Sequence, residues 1–442
     1  MMALRRRAFR GLRAGLACAM VLFCLLGCGA VIAEPPVYGR TPVEYVPYGR
    51  FAEPYKEYFL ESVQYHGHGR EIPEPQGVES VKIGFLGPIE KTVSVATGGA
   101  SHEEGLGRRM LQGARLAVEH ANAGGGYRGS GIPYELVVRN DNGLWGASGS
   151  EVIHLGYKDK VWAILGTIDG ANSHIAIRTA LKIEVPVMNS ADTDPTYSET
   201  AIPWAFRCIT DDRQMGYLLA DFVFGKLQLT RVAALRANNR YGRIGIDEFR
   251  DAATRLSHPF LAEMNYQLGD TDFTPQLERI KALDPEVVIT WGDAVESALI
   301  LKQMRAMGMD QWLVGSDRMV APEFLALAGG NLERVAAGYP YDPESDDVRA
   351  HRFRQAYLGR YDESSDAYAA HAYDGMNMLI AATERGGLNR AKIRDELAAM
   401  KTYPGVSGIK EFDATYNNVS PAYLAIAEGG RFRVISRDEM LR

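Results

Sequence analysis

Val81-Lys-Ile-Gly-Phe-Leu-Gly87 is an apolar run that ends in a turn, and residues 104–123 follow with Leu106, Met110, Ala114, Ala117, Val118 and Ala121 at helical spacing before Gly124-Gly125-Gly126. A continuous apolar run suits a strand buried on both faces of a parallel sheet, whereas a strand with one wet face alternates. The glycines close the helix, because glycine readily takes the left-handed conformation of a helix C-terminus. This unit recurs: strand-like runs lie at 134–139, 161–166, 185–190, 232–237, 286–291, 312–316 and 334–339, and amphipathic runs between them include 214–227, 294–307 and 366–385. Strands separated by helices build βαβ units with right-handed crossovers, so the fold class is α/β with parallel sheets. The end departs from this rhythm. Residues 422–435 read as a hairpin through Glu428-Gly429-Gly430, an antiparallel addition.

A chain of 442 residues exceeds one ordinary core, so two lobes with extra segments are expected. Hydrophobic and charged fractions of 46% and 24% are those of a soluble globular protein. Only the N-terminus is apolar enough to enter a membrane: Arg5, Arg6, Arg7, Arg10 and Arg13 precede an apolar stretch at 14–33. A basic flank before a short apolar run is the anatomy of an export signal, with a lone membrane anchor as its competitor. Leu25-Leu26-Gly27-Cys28 resembles a lipobox, in which Cys28 becomes the lipid-attached first residue. Val31-Ile32-Ala33 offers ordinary cleavage instead.

Removing residues 1–33 takes away five arginines and no acids, which moves the net charge from −6 to about −11. A chain this acidic does not bind nucleic acid, because phosphate neutralisation needs clustered Lys and Arg. Of four cysteines only Cys208 lies beyond the signal, in the apolar context Phe206-Arg207-Cys208-Ile209, and it reads as a buried structural thiol. Residues 34–78 are rich in Tyr, Pro and Gly, without an apolar period, and read as a tether or as a tyrosine-based docking strip. His66 and His68 have no companion ligands, so no metal and no cofactor is expected. The chain also lacks a G-x-S-x-G elbow, a phosphate-binding loop, H-E-x-x-H and G-x-G-x-x-G, which argues against an enzyme.

The positive signal is a series of short motifs in fixed order. Val81-Lys-Ile-Gly-Phe-Leu-Gly-Pro88, Gly113-Ala-Arg-Leu-Ala-Val-Glu119 and Val185-Pro-Val-Met-Asn-Ser-Ala-Asp-Thr-Asp-Pro195 come first. Tyr241-Gly-Arg243, Gly269-Asp-Thr-Asp-Phe-Thr274, Gly315-Ser-Asp317, Ala321-Pro-Glu-Phe324 and Ala367-Tyr-Ala-Ala-His-Ala-Tyr-Asp-Gly375 follow. Over roughly residues 79–435 the chain resembles the leucine/isoleucine/valine-binding branch of the type I periplasmic solute-binding proteins, the binding components of ABC importers. The resemblance implies two Rossmann-like lobes joined by three crossover strands, near 207–210, 338–341 and 404–411. Lobe one would comprise 79–207 plus 340–404, and lobe two 208–339 plus 405–442. In such a fold the carboxyl ends of the strands and the helix N-termini face the interlobe cleft.

The resemblance also nominates residues. Thr193 matches a threonine that holds the ligand carboxylate, against a turn or cap role ahead of Pro195. Asp317 matches an acid that pairs with the ligand ammonium, against a capping role for a helix at 321–328. Tyr241 and Tyr368 match aromatics lining the cleft, against core tyrosines. Gly170 stands where a serine is usual, with Asp169 beside it, and Asp293 stands where an aromatic is usual. Trp145 either walls the cleft or packs. Because an unpaired buried charge is costly, the additional acids favour a solute with cationic or donor-rich groups, a small amine or amide, ahead of branched-chain amino acids.

The expected function is therefore an extracytoplasmic, monomeric solute-binding protein, anchored through Cys28 if lipidated, that passes a small amino-acid-like or amine/amide molecule to an importer permease. The alternative is a sensor or scaffold lipoprotein on the same fold.

Overall fold

The computed structural model describes residues 62–89 and 102–442; the signal-like segment 1–33 with Cys28, and residues 34–61 of the extension, lie outside the described residues. The first half of the chain runs β1 (Val81–Gly87), α1 (His102–Ala123), β2 (Tyr134–Asn140), α2 (Trp145–Ile153), β3 (Ile164–Gly166), α3 (Gly170–Ile183), β4 (Val187–Asn189), α4 (Thr196–Glu199) and β5 (Ala205–Arg207). Its strands form a sheet in the order β2-β1-β3-β4-β5, every neighbouring pair parallel. The chain then crosses to α5 (Asp212–Ala220), β6 (Val232–Ala237), α6 (Arg240–Arg255), β7 (Ala262–Tyr266), α7 (Thr274–Ala282), β8 (Val287–Trp291), α8 (Ala294–Ala306), β9 (Trp312–Gly315), α9 (Pro322–Ala328) and β10 (Val335–Tyr339).

It returns with α10 (Val348–Tyr361), α11 (Ala367–Gly386) and α12 (Arg390–Ala399), of which α10 and α11 pack on α1 of the first lobe. A hairpin of β11 (Thr402–Gly405) and β12 (Gly408–Glu411) leads back to β13 (Tyr423–Glu428), β14 (Arg431–Ile435) and α13 (Arg437–Leu441). The second sheet is ordered β14-β13-β10-β9-β8-β6-β7, parallel from β10 to β7 and antiparallel where β13 and β14 join it. The chain thus passes between the two sheets after β5, after β10 and between β12 and β13. This is the two-lobed α/β architecture that the alternating pattern predicts.

Burial explains which strands show in the sequence. Val81, Ile83, Phe85 and Leu86 of β1 and all five residues of β8 are buried, so these strands read as apolar runs interrupted only by Lys82 and Thr290. The strand β7 closes an edge of the second sheet, and its residues apart from Tyr266 stay partly or fully exposed, so no apolar run announces it. The three-residue β5 is too short to leave a pattern. At the terminal hairpin, Gly429 and Gly430 have φ of 58° and 81°, the double left-handed geometry of a tight turn that matches the strand twist. Where α1 passes α11, a Cβ on Gly113 would lie 2.1 Å from the carbonyl oxygen of Ala369, so the missing side chain sets how closely these helices approach.

The described end of the extension is not a loose tether. Tyr65 packs edge-on against Trp204 with ring centroids 4.9 Å apart and donates to Glu184 at 2.8 Å. Arg70 forms a two-pronged pair with Asp395 at 2.6 and 2.8 Å, and Asn389 donates to the carbonyls of Gly69 and Ile72. These few anchors fasten a segment that has no apolar period of its own. Cys208 is fully buried, and burial pushes its thiol up to about 12.

Candidate functional site

Loops at the carboxyl ends of β4, β5, β8 and β9 meet the N-termini of α6 and α11. The β4 loop is shaped by consecutive side-chain-to-backbone bonds. Asn189 Oδ1 accepts from the N–H groups of Ala191 and Asp192, Asp192 Oδ1 from Asp194, and Asp194 Oδ1 from Thr196. Such short polar side chains hold a turn without a regular ladder. Thr193 sits at its apex, 2% exposed, and its carbonyl accepts from the N–H of Asp212 at 2.8 Å.

Asp317 follows β9 and is 1% exposed. Tyr241, at the start of α6, donates its hydroxyl to Oδ1 at 2.6 Å, and Tyr368, at the start of α11, donates to Oδ2 at 2.5 Å. The carboxylate therefore ties a tyrosine of its own lobe to one from the other. The helix α9 has no side-chain cap, so Asp317 does not serve as one. Thr193 is likewise not the cap of α4, whose cap position is Pro195.

The neighbouring charges are mostly committed. Arg318 donates to Asp293 at 3.1 Å while its guanidinium lies 3.8 Å from the centre of the Tyr241 ring. Asp293 is thus neutralised within the protein, and the sequence-based argument that it calls for a cationic solute does not survive the structure. Asp169 caps α3 by accepting from Ala171 N–H at 2.9 Å. Arg240 reaches from the second lobe to Asp194 of the first at 2.6 Å and to Thr196 Oγ1 at 2.7 Å, with His174 Nε2 at 3.2 Å. Burial works against the Asp194 carboxylate, but Arg240 and Thr196 hold it below the usual range. A Cβ on Gly170 would fall 2.6 Å from Asp194 Oδ2 and 3.0 Å from Arg240 Nε, which explains the glycine there.

Trp145 stands apart from this group. It is 62% exposed and lines a surface cavity of about 500 Å³ together with His174, Ile175, Arg178, Thr196 and Arg240. Two acids escaped sequence reasoning. Burial, then repulsion from Asp194, pushes Asp192 up to about 8, and Asp212 is raised well above the carboxylate range by burial and then by Asp317. The signal available was Asp211-Asp212 directly after a short strand, where one acid suffices as a cap; Asp211 takes that role, accepting from Gln214 N–H at 3.1 Å. Among the described residues, no group of three or more His, Cys, Asp or Glu side chains could hold a metal ion, and no helix is long and apolar enough to cross a membrane.

The family model described as "Periplasmic binding protein" matches residues 80–431. The chain belongs to the periplasmic binding protein family. Members of this family act outside the cytoplasm. The Leu/Ile/Val-binding protein homolog 2 of Brucella abortus is 26% identical over 291 residues, covering 64% of this chain and 75% of that protein. An amino acid binding protein of Pseudomonas aeruginosa is 25% identical over 313 residues, 70% of this chain and 82% of its own. Among solved structures, the branched-chain amino acid transporter substrate binding protein LivJ of Streptococcus pneumoniae, in complex with isoleucine, superposes with a TM-score of 0.72 at 26% identity, covering 81% of this chain and 99% of that one. The leucine binding protein LivK of Thermotoga maritima has a TM-score of 0.73 at 24% identity, with 80% and 98% covered. As their names state, these relatives are binding proteins.

Proposed function

We propose that the chain captures a small, polar, amino-acid-like or amine/amide solute between its lobes and delivers it to the permease of an ABC importer, without transforming it. The observation that carries this is Asp317: a buried carboxylate between two lobes, held by one tyrosine from each. An anion fixed by neutral donors keeps lone pairs for a solute's N–H groups, and a buried setting strengthens each such contact. Thr193, Asp317, Tyr241 and Tyr368 would touch the solute. Gly170, Asp169 and Asp293 would shape the cleft indirectly, through Asp194, the α3 cap and Arg318, and Trp145 would lie at its outer margin. The lobes would be 79–207 plus 340–404 and 208–339 plus 405–442, in a monomer attached to the membrane by lipid at Cys28. The transport role stated in the name of LivJ favours delivery to a permease over a sensor or scaffold role.

Thermal unfolding of the purified chain against a panel of amino acids, amides and amines tests the reading. A true solute at a hundred times its Kd adds about 2.7 kcal/mol of stability by mass action. The proposal fails if no compound in the panel raises the Tm and no small molecule co-purifies.

A further inference from the structure

Resting on that reading, we infer that the solute is an organic cation, an amine or amidine without a free carboxylate, and that Asp212 shares its positive charge with Asp317. Two independent features of the site point there.

The places where an anion would settle are already occupied by the protein's own acids. A helix N-terminus is the usual seat for a carboxylate, because its N–H groups and dipole favour negative charge. At α3 that seat holds Asp169, bonded to Ala171 N–H, and Asp194, whose Oδ2 fills the space beside Gly170. The nearby cations are spent as well. Arg240 is bound to Asp194 and Thr196, Arg318 to Asp293 and the face of Tyr241, and Arg207 to Asp211 and Asn417. A solute carboxylate arriving here would meet acids rather than donors.

The unused valences have the opposite character. Asp212 is 1% exposed and Thr193 2% exposed, yet Asp212 Oδ1 and Thr193 Oγ1 make no hydrogen bond of normal geometry among the described residues. The hydroxyl is still close enough to favour the Asp212 carboxylate. Apart from burial, the strongest influence on Asp212 is the charge of Asp317, and Asp194 and Asp211 add to it. Tyr241 also feels Asp212. Burial and these neighbouring acids drive Asp212 toward its protonated form. A solute ammonium or amidinium placed between Asp212 and Asp317 would replace that proton, giving each carboxylate a charged partner and Thr193 a donor to accept from. Binding should then expel a proton.

The experiment is isothermal titration calorimetry of the full chain at pH 7, in two buffers of different ionisation enthalpy, with agmatine, putrescine and L-leucine as probes. The expected result is that agmatine or putrescine binds with net proton release, because Asp212 gives up a proton as it pairs with the cation. D212N should bind that amine at least about 30-fold more weakly and release none. L-Leucine should give no heat. The inference is overturned if L-leucine binds the wild type, or if amines bind without proton release. In either case the solute-binding reading itself still stands. If neither class binds, the inference falls, and the solute-binding reading is decided separately by the thermal panel and by what co-purifies. Should D212N fail to fold, proton release and the leucine titration of the wild type decide alone.

Discussion

Replacing Asp317 by Asn tests how the two lobes are tied. The carboxylate accepts from Tyr241 at 2.6 Å and from Tyr368 at 2.5 Å while almost wholly buried. A hydrogen bond to a charged group contributes about 1.5–3 kcal/mol net. Asn keeps one oxygen and presents an N–H₂ to the other tyrosine, whose hydroxyl must then turn its proton away. One charged bond is lost and the other becomes neutral, so D317N should lose roughly 2–4 kcal/mol of stability. The loss divides by location. The Tyr241 bond lies within the second lobe, whereas the Tyr368 bond joins the lobes. A cycle of D317N, Y368F and the double variant, followed by urea unfolding, should give a coupling of about 1.5–3 kcal/mol between Asp317 and Tyr368. Calorimetry with the solute found by screening should show a further loss of roughly 2–5 kcal/mol of binding in D317N, the cost of stranding a buried ammonium. The reasoning is refuted if D317N unfolds within about 0.5 kcal/mol of the wild type, the cycle is additive, and solute affinity is unchanged.

Three further outcomes are expected. D192N should be more stable than the wild type at neutral pH. With the folded pKa of Asp192 raised to about 8, stability present below the ordinary carboxylate pKa is lost as pH rises from 4 toward 8, by up to about 4 kcal/mol at pH 7. Denaturation at pH 5 and pH 8 should show a smaller decline in the variant, and equal declines would count against the assignment. R207M removes a buried guanidinium that serves Asp211 and Asn417, and should cost about 3–5 kcal/mol in urea unfolding, with D211N recovering part of it. G113A drives a methyl against the carbonyl of Ala369, and because backbone cannot rotate away, α1 and α11 must separate at a cost of about 1–3 kcal/mol, read as a lowered Tm.

The parallel core is legible in the sequence because a strand buried on both faces is almost wholly apolar, as in Val287–Trp291, where Thr290 alone is polar. Edge strands escape, since Ala262–Tyr266 can afford Glu263 and Asn265 in water. At the site, motif order singles out Thr193, Asp317, Tyr241 and Tyr368 one at a time. Nothing in linear order shows that a single carboxylate gathers both tyrosines, or that Arg240 spans 46 positions to reach Asp194 on the opposite lobe. For the same reason Asp169 and Asp293 look like spare acids in the sequence and turn out to be a helix cap and half of an ion pair. Asp212 is hidden by its neighbour, because either of two adjacent acids would cap α5 and only the fold shows which one is left over.

The strap at 63–72 has a mechanical consequence. Among the described residues, its long-range bonds run to Glu184, Asn389, Arg394 and Asp395 of the first lobe and to Tyr416, whose ring stacks on Phe206 of β5 at 4.9 Å. A load applied at Ser62 therefore falls on the first lobe and on Tyr416, which packs against it. If the lobes close on a solute as proposed, the first lobe would serve as the fixed jaw and the second, carrying Asp317 and Asp293, would swing.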